Sequence, residues 1–279
     1  MTTRGEIIDR LTQYGLSDGT GLTLAEAALL IGAVDRPALP LERYHRHLEK
    51  LSEKVGEYAR VGEGPVPVAV MVDALRQVLS RHYGYGGGES GGEDEDCFDL
   101  TRVIDSRTGS SGALSILYAS TARRLGWQSE IIHIPGRILV RLESHGERLI
   151  TDPLGDGQTL EPADLRAFLK AFDGNESELT PDSLTPLNDK QALLKLQGGR
   201  KSVLLRAKRL EEAAVVLDLS LRIAPEEPSL WRECGLLHAR LDRVQAAVDA
   251  LEEYLRLGAG EQARYNTSIL LQELRTRLT

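Results

Sequence analysis

Cysteine is scarce: Cys97 and Cys234 are the only two in 279 residues, and they lie far apart. A secreted disulfide scaffold carries more, and a structural zinc site shows paired Cys or His spacings. Both are therefore read as thiols in a reducing compartment, with no structural zinc and no cofactor expected. The N-terminal MTTRGEIIDRLTQYGL lacks the apolar core of a signal peptide. The longest apolar stretches, such as AEAALLIGAV from Ala25, are too short to span a bilayer. A cytoplasmic protein without a membrane partner is expected. An excess of positive charge is missing too: 42 acidic side chains face 34 basic ones, for a net charge of −8. General nucleic-acid binding needs a basic face, so no nucleic-acid partner is expected. The remaining balance, 41% apolar and 27% charged, is that of an ordinary globular chain.

The first third reads as helices. Thr23 opens TLAEAALLIGAV with Glu26 three residues later, a capping-box pattern. Pro37 and Pro40 break the chain, and a second helix runs from about Leu41 to Ala59. A third follows Pro67, with Val68, Val72, Leu75 and Leu79 on one face, and ends near Tyr83. Residues 1–83 are thus expected to form a helical N-terminal subdomain. In GYGGGESGGEDED (84–96) no Lys follows the glycines and the acids would repel phosphate, so a flexible, solvated loop is expected rather than a phosphate site.

From Asp99 to Gly126 the pattern is helical again, with a break at TGSSG (108–112). The helix ALSILYASTARRLG buries Leu114, Leu117, Tyr118, Ala122 and Leu125 and stops at Gly126. Three strand-like runs follow, SEIIHI (129–134), RILVRL (137–142) and ERLITD (147–152). Pro135–Gly136 and Ser144–His145–Gly146 supply the turns of an antiparallel meander. A buried helix followed by that sheet makes an α+β core, placed over 84–172.

A linker rich in Asp, Thr and Pro (173–189) leads to a helical region, 190–279. There RLEEAAVVLDLSLRI (209–223) is echoed 34 residues later by RVQAAVDALEEYLRL (243–257). That period is the tetratricopeptide repeat's (TPR). Trp231, Gly235, Ala247 and Tyr254 occupy its large and small packing positions, whereas Lys201 stands where a small residue is expected. Residues 263–278 would cap the stack.

On VIDSRTGSSGALSILYASTARRLG (103–126), IPGRILVRL (134–142), LITDPLGDG (149–157) and the helical LAEAALLIGAVDRPALPLERY (24–44), the sequence resembles the bacterial SirB-type family, which joins a transglutaminase-like domain to TPRs. The resemblance implies a papain/transglutaminase-like core. Enzymes of that kind use a Cys at a helix start, a His from a strand as base and then acid, and an Asp on the next strand to orient the His. Carried over position by position, the Cys falls on Ser111, the His of the PGH motif on Arg137, and the Asp of the TDP motif on Asp152. Only the last is kept. A serine needs a base to become nucleophilic, and Arg137 is permanently protonated and accepts no proton. No intact catalytic triad is therefore expected; Arg137 either pairs with Asp152 or points to solvent.

Other chemistry-bearing residues are weaker candidates. Cys97 follows an acidic run, which would raise a thiol pKa, and reads as a half-buried small hydrophobe. His133 alternates with Ile132 and Ile134 in a strand, and His145 sits in a turn. Neither has a second ligand at metal spacing. GSSGA lacks the final glycine of a nucleophile elbow.

With chemistry lost, binding remains. The repeat register puts Lys195, Ser202 and Arg206 from one copy, and Ser229, Arg232, Leu236 and Arg240 from the next, on the concave face. The four basic groups would hold an acidic peptide or a C-terminal carboxylate; the alternative is ordinary solvated surface charge. Three functions stay open: a non-catalytic protein-binding adaptor or regulator, a cysteine or serine hydrolase or acyltransferase with rearranged residues (Cys97 or Ser111 with His133 or His145), and a repeat scaffold that the upstream domain merely stiffens.

Overall fold

The computed structural model describes residues 3–17, 21–88, 94–174, 178–258 and 260–277. The chain divides into two compact units. One holds residues 1–7 and 22–196, and the other holds 8–21 and 197–279.

The first unit is α+β. Helix α1 (Arg4–Leu16) begins in it, and α2 (Leu24–Ala33) follows with the expected capping box: Thr23 Oγ1 accepts from the Glu26 N–H, and the Thr23 N–H donates to Glu26 Oε2 at 2.7 Å. Helix α2 is apolar nearly all round and is buried nearly all round. Helix α3 (Glu42–Tyr58) is amphipathic, burying Tyr44, Leu48, Leu51 and Val55. Helix α4 (Val68–Leu75) runs directly into a π-helical stretch, Arg76–His82. Helix α5 (Leu100–Ser106) is capped by Asp99, whose carboxylate accepts from Thr101 and Arg102 and also pairs with Arg36 at 2.5 Å.

Helix α6 (Ser111–Arg124) is the axis of the unit, with every residue from Gly112 to Ala122 buried. It lies against the five-stranded antiparallel sheet β4-β3-β2-β1-β5, formed by β1 (Gln128–Ile134), β2 (Arg137–Ser144), β3 (Glu147–Asp152), β4 (Gln158–Leu160) and β5 (Pro186–Leu187). The β1–β2 turn is Pro135–Gly136, with φ +76° at Gly136, the residue pair a type II turn requires. The β2–β3 turn is His145–Gly146, with φ +52° and +81°, as a type I′ hairpin demands. On the sheet face carrying Ile132, Ile134 and Leu139, helix α7 (Pro162–Asp173) contributes Leu165 and Phe168 to a second core layer.

Several expected boundaries lie elsewhere. Residues 22–83 belong to the same compact unit as the sheet rather than to a separate N-terminal subdomain, because α2 and α3 pack on α6. The stretch 173–189 is no plain linker. It contains a 3-10 turn (Pro181–Leu184) and β5, which hydrogen-bonds to Ile131 and Ile132 of β1 and so covers that strand's free edge. In the Gly-rich stretch 84–96, Tyr85 is 1% exposed and Gly86 bridges to Thr108, so its start is anchored, not solvated. Residues 89–93 of that stretch lie outside the described residues.

The second unit is helical: the end of α8 (Asp189–Arg206), α9 (Leu210–Ile223), α10 (Pro228–Arg240), α11 (Val244–Arg256) and α12 (Glu261–Thr276), with residues 8–16 of α1. Helices α9 and α11 are the two copies of the 34-residue echo. Gly235 explains the small packing position, since a Cβ there would meet Leu251 Cγ at 2.6 Å and the Ala247 carbonyl oxygen at 3.2 Å. Lys201, out of place for the repeat, forms an ion pair with Glu233. Helix α12 closes the stack with Leu271 and Leu274 against Ala247, Val248 and Leu251.

Candidate functional site

Helix α6 starts with two serines that do different work. Ser110 is the N-cap, its hydroxyl accepting from the Ala113 N–H at 3.3 Å. Ser111 reaches instead to the sheet, where its Oγ accepts from the Ile138 N–H at 3.2 Å. One turn on, the Ser115 hydroxyl donates to the Ile138 carbonyl at 2.8 Å. Both backbone polar groups of Ile138 are thus satisfied by α6, and a Cβ on Gly112 would meet the Ile138 side chain at 3.3 Å. The Ser111 oxygen therefore serves as a structural acceptor that staples α6 to β2.

Arg137 precedes Ile138 and, by strand alternation, falls on the opposite sheet face, with Ile134 and Leu139. Its guanidinium lies over the Phe168 ring of α7, 5.3 Å from the centroid, a cation–π contact. Its Nη1 is 3.7 Å from Asp152 Oδ2. Asp152 ends β3 and is fully buried; the Leu154 N–H donates to its Oδ1 at 3.0 Å, and its main-chain carbonyl accepts from Gly155 and Gly157. The sequence Asp152–Gly157 thus wraps tightly around the carboxylate. Gly157 is required there twice over, for φ +68° and because a Cβ would meet Tyr118 Oη at 2.9 Å. Helix α7 also covers the turn: Phe172 stands where a Gly136 side chain would go, with 2.7 Å between its ring and that Cβ.

This corner holds an unusual number of unsatisfied groups. Among the described residues, Arg137 Nη1, Asp152 Oδ2, Tyr118 Oη and Arg76 Nε are buried without a hydrogen-bond partner. Burial pushes the Tyr118 phenol well above its ordinary pKa, with the Asp156 charge adding to the rise. Arg76 opens the π-helical stretch, a distortion common at functional sites. The three positions of interest are therefore split: Arg137 and Asp152 form an ion pair, and Ser111 is bonded to the Ile138 backbone. No hydrogen bond joins Ser111 to Arg137 among the described residues.

The remaining candidates stand apart. His133 is in register with Ile138, hence next to the strand position that Ser111 contacts, but among the described residues it makes no hydrogen bond to Ser111. Burial, and then the Lys195 charge, hold its pKa below the usual histidine value. His145 is an exposed turn residue. Cys97 is 5% exposed and borders a cavity of about 510 Å³ that Asp94, Asp96 and Asp105 also line, with no histidine among its described lining residues. Burial pushes the Cys234 thiol up to about 12, and Asp218 beside it adds to the shift, so it is no nucleophile in this state.

Of the basic residues expected on the repeat face, Arg206, Arg232 and Arg240 are exposed and belong to the second unit. Lys195 is exposed but belongs to the first, so the expected clamp of four does not lie within one compact body. Ser202 and Ser229 are exposed with their hydroxyls spent locally, on the Gly198 carbonyl and on Glu227, and Leu236 is half-buried. What sequence reasoning missed is a cluster in the second unit, Asp218, Cys234 and His238. Its readable half was the four-residue spacing of Cys234 and His238 on one helix face.

Residues 42–198 match the Transglutaminase-like superfamily, and residues 201–272 match the tetratricopeptide repeat. Among curated relatives, a "UPF0162 protein" of Xylella fastidiosa is 28% identical over 247 residues, covering 86% of this chain and 85% of that protein. "Protein SirB1" of Salmonella typhimurium is 28% identical over 187 residues, 66% of this chain and 69% of that one. "UPF0162 protein YchA" of Escherichia coli is 23% identical over 237 residues, 83% and 85% respectively.

Proposed function

The chain belongs to the transglutaminase-like superfamily, and from that premise we propose that it is a non-catalytic member, a cytoplasmic protein-binding adaptor or regulator. The observation that carries this reading is Arg137 in the position of the base. A guanidinium cannot take up a proton, and here it is engaged with Asp152 at 3.7 Å while the Ser111 oxygen is engaged with the Ile138 N–H. Loss of nucleophile and base together costs on the order of six powers of ten in turnover in a hydrolase of another fold.

The tetratricopeptide repeats supply the binding half of the reading. Among the described residues Arg206, Arg232 and Arg240 form no ion pair, so their charge is available to an acidic peptide or a C-terminal carboxylate. Neither nucleic acid nor membrane is a partner in this account. The protein carries a net charge of −8, and no described helix is long and apolar enough to cross a membrane. The test is affinity capture from the native organism with wild type and with Arg232→Glu/Arg240→Glu. The partner retained by wild type should be lost from the double variant; equal capture by both discards the repeat face as the docking surface.

One observation favours a second reading. His133 pairs in register with Ile138, whose N–H holds Ser111, so it is the histidine that a rearranged Ser–His dyad would draw on. Hydrolysis of an activated ester that vanishes in both Ser111→Ala and His133→Gln would establish it.

A further inference from the structure

The second unit contains a donor set that neither the repeat nor the transglutaminase-like domain uses. Cys234 and His238 sit one turn apart on α10, pointing the same way, and Asp218 approaches from α9. Asp218 Oδ1 is 3.5 Å from Cys234 Sγ and 3.5 Å from His238 Nε2, and one donor atom from each of the three lies within 4.8 Å of the others. We propose that these three residues bind a single divalent transition-metal ion of the zinc class.

Two of the three donor spacings are those of a ligand shell. Bonds of 2.0–2.3 Å at a tetrahedral angle place donor atoms about 3.3–3.7 Å apart, the spacing Asp218 keeps from both partners. The donor types select the metal: one sulfur, one imidazole nitrogen and one carboxylate oxygen suit Zn²⁺ or Co²⁺, whereas the hard ions Mg²⁺ and Ca²⁺ take all-oxygen sites. Without an ion the Cys234 thiol donates to Asp218 Oδ1, and the poorly satisfied member is the His238 imidazole. The His238 side chain is only 10% exposed, and among the described residues its Nδ1 has no hydrogen-bond partner and Nε2 has only the long contact to Asp218. A buried imidazole so placed has its one polar engagement directed into the trio.

Access and a fourth position are both present. The trio lines a cavity of about 450 Å³ with apolar walls from Leu221, Pro225 and Trp231, and Asp249 of α11 lines it as well. Asp218 is about half exposed, so an ion enters from solvent. On coordination the Cys234 thiol gives its proton to solvent and binds as thiolate. The fourth position falls to water. Such an ion ties α9, the closing helix of one repeat, to α10, the opening helix of the next. The absence of a zinc site expected from the sequence rested on the lack of paired spacings and on His133 and His145 alone; the third ligand comes from another helix.

The test uses the full chain, reduced and freed of metal by chelator, titrated with Co²⁺ and then Zn²⁺. One equivalent of Co²⁺ should give a thiolate-to-metal charge-transfer band with the visible bands of a tetrahedral centre, and Zn²⁺ should abolish both. The bands should survive in Cys97→Ser and disappear in Cys234→Ser. His238→Gln and Asp218→Asn, close in shape to the originals, should each weaken binding at least about tenfold, so the test stands even if Cys234→Ser fails to fold. Absence of a charge-transfer band in wild type, or bands unchanged in His238→Gln and Asp218→Asn, overturns the assignment.

Discussion

Replacing Arg137 by methionine removes the one basic group that pairs with the Asp152 carboxylate among the described residues, while keeping the aliphatic stem over Phe168. At the observed 3.7 Å, two unit charges attract by about 4–5 kcal/mol at an effective dielectric constant of 20. The arginine side chain is 28% exposed, so solvent screens part of this, and the Leu154 N–H still donates to Asp152 Oδ1. The expected loss is therefore about 2–3 kcal/mol, below the 3–5 typical of a fully buried pair broken on one side. Trp127 lies in the first unit and is 7% exposed; in a Trp231→Phe background it is the sole tryptophan, and its fluorescence in a urea titration reports this unit alone. Adding Asp152→Asn to Arg137→Met removes the stranded charge and should restore more than half of the loss. If Arg137→Met costs less than about 0.5 kcal/mol, or if Asp152→Asn deepens the loss, the pair does not hold the site in the way argued.

Three further outcomes follow from other parts of the molecule. Burial, then the charges of Arg107 and Lys50, lower the His47 pKa to about 4 while its Nε2 is within 2.8 Å of Tyr85 Oη. The unfolded chain takes up a proton near pH 6.5 and the folded chain does not, so stability falls as pH drops from about 6.5 to 4, by about 1–3 kcal/mol; His47→Gln should flatten that part of the Trp127 urea-midpoint profile, and an unchanged profile contradicts it. Gly235→Ala should destabilise the second unit by roughly 1–3 kcal/mol through the clash with Leu251 and the Ala247 carbonyl, seen as an earlier loss of the Trp231 signal in a Trp127→Phe background; a neutral effect would mean that α10 and α11 separate at no cost. Thr23→Ala should cost about 1 kcal/mol by removing half of the capping box of α2, read by the Trp127 urea titration.

Much of the fold was legible because local signals agreed with tertiary ones. The Thr23–Glu26 box, the alternation of SEIIHI and RILVRL, and the 34-residue echo each reflect a period that the folded elements keep. Strand β5 was not legible: two residues of a Pro- and Thr-containing stretch become strand only because β1 offers an open edge. Tyr85 was hidden by its glycine neighbours, since burial there comes from the long-range bridge of Gly86 to Thr108 and the contacts with His47 and Arg107. At the candidate site, the residue types at 111, 137 and 152 could be read off the motifs, but not that Ser111 would be held by the Ile138 backbone while Arg137 pairs with Asp152. The Asp218–Cys234–His238 cluster escaped because two helices assemble it; only one pair shares a readable spacing.

The central claim, that proton transfer has been lost from this corner, is tested most directly by covalent labelling. Full-length protein incubated with a fluorophosphonate and, separately, with a thiol-reactive electrophile, then digested and mapped by mass spectrometry, should carry no faster-than-denatured labelling at Ser111 or Cys97. Stoichiometric labelling of either residue in the folded chain, abolished by heat, would contradict it.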